Sequence, residues 1–387
     1  MTITAHLAFY SRDGFFCKDG RGWYGAAGGS GHGLEWPWPS TVRGAVRTLW
    51  GRAHEAVIGE QRWLAATASI ALGPTLAMWR GRGTDVLERR WPVPADVEYV
   101  RLPDITSSHV RYLHPAPSPV ATLGRDDDPA RERLWIAPAI NRGKPGPRPR
   151  WWTEDELISW LAGSPVPGEP AVAADRPAHR RVTRTAIVPM TQTVVDSALF
   201  SHDVVETVEP DGEWAIAAKV TLPDALFATT ATLGSDRRLA RVETIERAAF
   251  DPPPALATAS AADSLGLRLL VVTPTIFARG WLPDGLVARG DEYRGHLAGI
   301  APELVLRAAI TPRPVAISGW DMAAGAPRAT DLAVPPGAVY FLQRADGGRF
   351  TAADVHGLWL AALGRRTEDG FGHVVAAPWT TPPRSLS

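Results

Sequence analysis

The segment 35–51, EWPWPSTVRGAVRTLWG, places two arginines at the start of a helical pattern. Ser40 stands where an N-cap residue belongs, after Pro39 has fixed the entry of the chain. Val42, Ala45, Val46, Leu49, Trp50, Ala53 and Val57 recur at helical spacing and form an apolar stripe. On the opposite side Arg43, Arg47 and His54 fall within about 40° of one another. Free N–H groups and the positive dipole end make a helix start an anion site. Arginines in the first two turns oppose that dipole, at a cost of about 0.3–1 kcal/mol unless an anion offsets them. Two readings fit: a solvated basic face, or a surface that meets phosphate.

Two further loops carry similar chemistry. In "LGSDRR" (233–238) and "LGRRTEDGFG" (363–372) a glycine hands over to a pair of arginines. Glycine lets backbone amides approach a ligand, and adjoining arginines can clamp phosphates. "CKDGRGW" and "GKPGPRPRWW" are also basic, glycine-containing and next to aromatics, a composition suited to single-stranded RNA.

Enzymatic motifs are missing. The sequence has no Walker A loop, dinucleotide fingerprint, zincin pair or nucleophile elbow. Its histidines lack ligand spacing, and Asp126, Asp127 and Asp128 read as solvated loop charge. Catalysis by this chain is not expected. Were it a nuclease, His54, His179 or His373 would have to serve as general base.

Composition narrows the classes further. Cys17 is the only cysteine, which removes intramolecular disulfides and cysteine-based zinc sites. No apolar run nears the ~18 residues of a membrane span, and the N-terminus lacks a secretory signal pattern, so a cytoplasmic protein is expected. The formal net charge of zero argues against whole-molecule attraction to nucleic acid. That zero conceals an asymmetry, since Lys18, Lys144 and Lys219 are the only lysines and arginine supplies the rest. Arginine suits bidentate phosphate contacts and base stacking, although GC-rich coding bias produces the same composition.

The elements that must position these residues form a faint internal repeat. In the first part a strand (3–10) and a helix (40–57) lead to an expected hairpin of 197–209 with 213–222. A helix over 223–234, the loop 235–238 and a strand "LARVETI" follow. The second part repeats the order with strands 266–277, 306–317 and 337–345, a helix capped by Thr351, a glycine-rich loop and the strand "HVVAAPW". This predicts an α+β protein of two ferredoxin-like, RNA-recognition-like βαββαβ domains, 1–250 and 251–387. An insertion of about 58–190 interrupts the first. Within it Thr153 and Glu156 announce a capping-box helix.

The ordered motifs resemble one family. "KDGRGWYGAAGG", "PWPSTVRGAVRT", "HRRVTRTAIVPMTQTVVDSALF", "LGSDRR", "LLVVTPTIFARGWLP", "ISGWDM", "AVPPGAVYF" and "GFGHVV" are similar to the Cmr-type RAMP-superfamily protein of type III-B CRISPR effector complexes. That subunit caps the complex at the 5′ end of the guide. Ser235 stands where family members often carry a second glycine. The resemblance implies no nuclease activity, no cofactor and no metal. It implies binding of the repeat-derived 5′ tag of crRNA, and docking on the large polymerase/HD subunit and the RAMP backbone subunits. Neither membrane nor DNA is expected as a direct partner. Carried onto this sequence, it points first to Arg43 and Arg47 with the Ser40–Thr41 helix start. Lys18, Arg21, Arg237, Arg238 and the loop Gly370, Phe371, Gly372, His373 come next, and Lys144, Arg148 and Arg181 reach from the insertion. A crRNA-processing endoribonuclease of the same superfamily, the equivalent type III-A subunit and a mainly architectural subunit remain alternatives. Trp36 and Trp38 are expected to pack rather than stack on bases.

Overall fold

A computed structural model describes residues 2–18, 30–31, 33–59, 62–101, 108–117, 134–137, 143–166, 176–257, 264, 266–321 and 324–379. It is mixed α/β, mostly strands, in several antiparallel sheets. Four strands form the centre of the first sheet: β1 (Ile3–Ser11), β2 (Ala71–Gly81), β3 (Gly212–Leu222) and β4 (Arg238–Thr244). Four more form the centre of the second: β5 (Gly266–Val271), β6 (Leu304–Ile310), β7 (Val339–Arg344) and β8 (His373–Trp379). Strand order is β4-β1-β3-β2 in one and β8-β5-β7-β6 in the other, so the two halves share one topology. The strand order thus repeats, with Ala71–Gly81 in the place that the sequence reading gives to 197–209.

Both faces of β1 are covered. Leu7 and Phe9 pack with Val42, Val46 and Leu49 of α1 (Pro39–Ala53), while Ala8 and Tyr10 face the opposite core. That second core runs on into Leu267, Leu269, Tyr340 and Val375 of the second sheet. Trp152, Leu157 and Trp160 of the insertion join it, the last two from α2 (Glu154–Leu161). One hydrophobic core thus spans both halves, which fixes their loops relative to each other.

Three expectations fail for identifiable reasons. β3 lies between β1 and β2, and of 197–209 only Val208–Glu209 pairs with it; Val194–Val205 pairs instead with His179–Ile187 as a separate hairpin. A short connection makes that local pairing easier to close than a long-range one. The segment 223–234 forms no helix. Thr230–Leu233 is a strand paired with β4, its Ala231 and Leu233 buried, because clustered threonines favour the pleated surface over the helix. The helix after Thr351 stops at Gly357 rather than 364. Both capping boxes, Thr153/Glu156 and Thr351/Asp354, form as read.

Candidate nucleic-acid interface

The helix α1 begins one residue earlier than its sequence announces. Trp38 is the N-cap residue and Pro39 the first helical one, so Ser40 lies inside the first turn and caps nothing. Proline suits that place because its missing N–H has no partner there and its φ is already helical. The start of α1 therefore has neither a side-chain cap nor an acidic residue in its first turn.

Arg43 and Arg47, on the side away from the core stripe, meet different surroundings. Arg43 Nε donates to the Ile70 carbonyl at 2.7 Å and Nη2 to the Ala68 carbonyl at 3.2 Å. Its Nη1 makes an ion pair with Asp369, across more than three hundred residues of sequence. The Arg43 fork is thus committed to the protein and staples α1 to both halves. Arg47 touches only neutral oxygens, Thr67 Oγ1 at 3.2 Å and the Leu64 carbonyl at 3.4 Å. Burial, then the charges of Arg43 and Arg328, push its guanidinium below the usual arginine range. Of the two, Arg47 carries the charge left for an anion.

The C-terminal glycine-rich loop meets α1 directly. Leu72 N donates to the Glu368 carbonyl at 2.8 Å, and Gly370 lies against Pro39. Burial alone would raise the Asp369 carboxyl, but hydrogen bonds from Arg43 and Arg366 hold it below the usual range. Arg366 also pairs with Asp331 at 3.0 Å and lies over the Phe371 ring at 4.9 Å. This loop differs from the expected phosphate cradle. Gly370, Phe371, Gly372 and His373 are all buried, so they support the helix start from beneath and do not face a ligand.

His373 shows the consequence of that burial. Its Nδ1 donates to the Leu360 carbonyl at 2.8 Å, and burial lowers its pKa to about 4. The folded state therefore disfavours the charged ring. Stability from this group is full above pH 6.5 and is lost as pH falls from there through about 4. Urea titrations across that window should show a shallower acid slope in His373→Asn than in the parent. Superimposable profiles would rule His373 out as a source.

A second basic cluster lies around the exposed hairpin. Lys18 is half-buried beside the first strand, and Arg181 is exposed on the outer hairpin strand. Arg184 of that strand pairs with Asp236 at 2.9 Å, and Arg238 Nη1 donates to the Asp13 carbonyl at 2.6 Å. The hairpin, the "LGSDRR" loop and the residues after β1 thus converge. Arg21 and the Arg237 side chain lie outside the described residues. Lys144 and Arg148 sit elsewhere: Lys144 pairs in register with Arg101, and Arg148 donates to the Val93 and Pro94 carbonyls at 3.1 and 3.0 Å.

Sequence reasoning points to Arg366 only as one of a Gly-Arg pair and misses Asp369 and Arg328. Only the arginine-rich composition of their loops hinted at them, because their partners are distant in sequence. Among the described residues no cluster of three or more His, Cys, Asp or Glu side chains could hold a metal.

Comparison with known proteins adds the family. No curated protein matches the chain. It is similar to a chain in the cryo-EM structure of type III-B Cmr-beta bound to cognate target RNA and AMPPnP, at 12% identity and a TM-score of 0.43, covering 87% of this chain and 86% of that one. A second structure, of Cmr-beta bound to cognate target RNA, gives 12% identity and 0.42 over the same shares. The apo-state structure gives 8% and 0.27 over 63% of this chain and 98% of that one. The family model for the CRISPR-associated protein Cas_Cmr3 matches residues 9–379, nearly the whole sequence, and the chain belongs to that family.

Proposed function

We propose that the chain is a non-catalytic subunit of a type III-B CRISPR effector complex that binds the 5′ repeat-derived tag of crRNA. In that role it docks on the large polymerase/HD subunit and the RAMP backbone. Family membership supports the setting. The observation that carries the binding role is the uncapped start of α1 together with Arg47, two turns further along the same helix, whose hydrogen bonds go to neutral oxygens. Free helix N–H groups and a guanidinium hydrogen-bonded only to neutral oxygens each favour a phosphate. The shared strand order of the two sheets supports reading both halves as ferredoxin-like variants that have each lost a helix.

The non-catalytic reading draws on the histidines. His373 is buried, and His54 stacks on Trp50 at 4.1 Å with Nδ1 on the Trp50 carbonyl. Burial withdraws His373 as a general base, while His54 and the exposed His179 are left to substitution. Incubating the chain with repeat RNA tests this: specific cleavage lost on one histidine substitution would overturn it.

Arg47→Ala tests the binding role. It should weaken crRNA retention and make the log–log salt dependence shallower by roughly 0.7, one phosphate contact on a single strand. Arg43→Ala should instead lower thermal stability, since it breaks the pair with Asp369. An unchanged salt slope in Arg47→Ala would remove Arg47 from the interface.

A further inference from the structure

We infer that Trp320 is a nucleobase-stacking platform beside the start of α1, one that takes a single-stranded RNA base whose neighbouring phosphates meet Arg47 and Arg328. The inference rests on the RNA-binding reading above and extends it to a residue that the reading does not include.

Exposure is the first observation. The sequence has 16 tryptophans, and among the described residues Trp320 alone is exposed, at 58%. Trp36 packs edge-on against Phe15, Trp151 and Trp214, and Trp38 packs into a core cluster. A large aromatic face left to water is unfavourable unless something covers it.

Placement is the second. Trp320 and Asp321 pair with Pro327 and Ala326 in a small two-stranded ribbon, closed by Arg328 N donating to the Gly319 carbonyl at 2.8 Å. The ribbon rises from a second pair, Val315–Ile317 with Asp331–Ala333. At its root Ile317 and Ala333 pack with Ile276, Phe371 and Trp38, the N-cap residue of α1. The platform and the helix start therefore belong to one packed unit. Ion pairs of Asp369 with Arg43 and Arg366, and of Arg366 with Asp331, tie the root of the ribbon to the arginine side of α1.

Charge is the third. Arg43, Arg47, Arg328 and Arg366 meet Asp321, Asp331 and Asp369 in this region. Asp369 is taken by Arg43 and Arg366, and Asp331 by Arg366. Asp321 pairs with Arg328 at 3.9 Å and accepts from Ala324 N at 3.1 Å. The excess is positive and lies at Arg47, with Arg313 exposed nearby in the chain. A flat aromatic ring flanked by guanidinium groups has the composition that binds single strands, stacking a base and tracking its backbone. A protein partner would also use tryptophan and arginine, but the net positive charge favours a polyanion.

Binding of a fluorescein-labelled, mixed-sequence single-stranded RNA oligonucleotide to the full chain at several salt concentrations tests the assignment. Trp320→Ala should weaken binding about tenfold or more, the loss of one stacked base. Trp320→Phe should restore most of the affinity. Neither variant should change the salt slope, because no phosphate contact is removed, whereas Arg328→Ala should make it shallower. Unchanged affinity in Trp320→Ala alongside weakened binding in Arg47→Ala would overturn the platform and leave the RNA-binding reading standing. Absence of RNA binding by the parent chain would overturn both. In the assembled complex, photo-crosslinks from position 320 to a protein subunit in place of RNA would also overturn it.

Discussion

Asp96→Ala is expected to remove about 3–5 kcal/mol of stability, because it strands a buried guanidinium. Arg268 lies in β5, where every residue is buried, and its Nη1 stands 3.7 Å from Asp96 Oδ2. Trp160 Nε1 donates to both carboxylate oxygens, at 3.1 and 3.2 Å, and the Arg268 plane lies 4.1 Å from the Trp160 ring. Arg268 Nη2 closes the triad by donating to the Trp160 carbonyl. Asp96 and Trp160 belong to the insertion, Arg268 to the second sheet, so this triad pins the insertion to the second half. Burial pushes the Asp96 carboxyl up to about 6, even against the opposing charge of Arg268. The pair is thus held by packing as much as by attraction. Replacing both members, Asp96→Leu with Arg268→Met, should be less damaging than Asp96→Ala alone, since no buried charge then lacks a partner. Thermal and urea unfolding decide the matter. A loss below about 1 kcal/mol for Asp96→Ala would mean that water already reaches Arg268.

The sequence conveys the local parts of this structure and few of the long-range ones. The stripe Val42, Val46, Leu49 is legible because helical spacing depends only on neighbours. The same holds for Thr153 with Glu156, three residues apart. β2 is not legible, since Gly73-Pro74 in its middle reads as a turn. The sheet tolerates that proline at an irregularity: the β2–β3 register shifts between Ala218 and Val220, opposite those two residues, so no ladder N–H is required there. Arg43 is half legible. Its side of the helix follows from periodicity, but its partner Asp369 becomes visible only once both halves share a core. The glycines of the terminal loop suggest close approach of backbone amides to a ligand, but Gly370 makes room for Pro39 and Leu72 and Gly372 for Leu363.

That close approach makes Gly370→Ala the second large effect, and one that connects stability to the interface. Gly370 has φ +89°, which an L side chain rarely adopts. A Cβ there would lie 2.8 Å from Leu72 Cδ2 and 2.9 Å from both the Gly73 carbonyl oxygen and Pro39 Cβ. Strain of about 1–3 kcal/mol adds to overpacking of similar size, so the total is on the order of 2–6 kcal/mol. Gly347→Ala is the control, because φ is +70° there and nothing lies within 4 Å of the added carbon. It carries the strain without the contacts. The difference between the two variants isolates the price of crowding the start of α1. Pro39 is the first residue of that helix, so relief of the clash must shift the free N–H groups and, through Leu72 and Ile70, the bed of Arg43. RNA affinity should therefore fall in Gly370→Ala, at temperatures where both variants remain folded, and should hold in Gly347→Ala. Equal unfolding midpoints and equal affinities for the two variants would show that the loop yields freely. The terminal loop would then not be what holds the helix start in place.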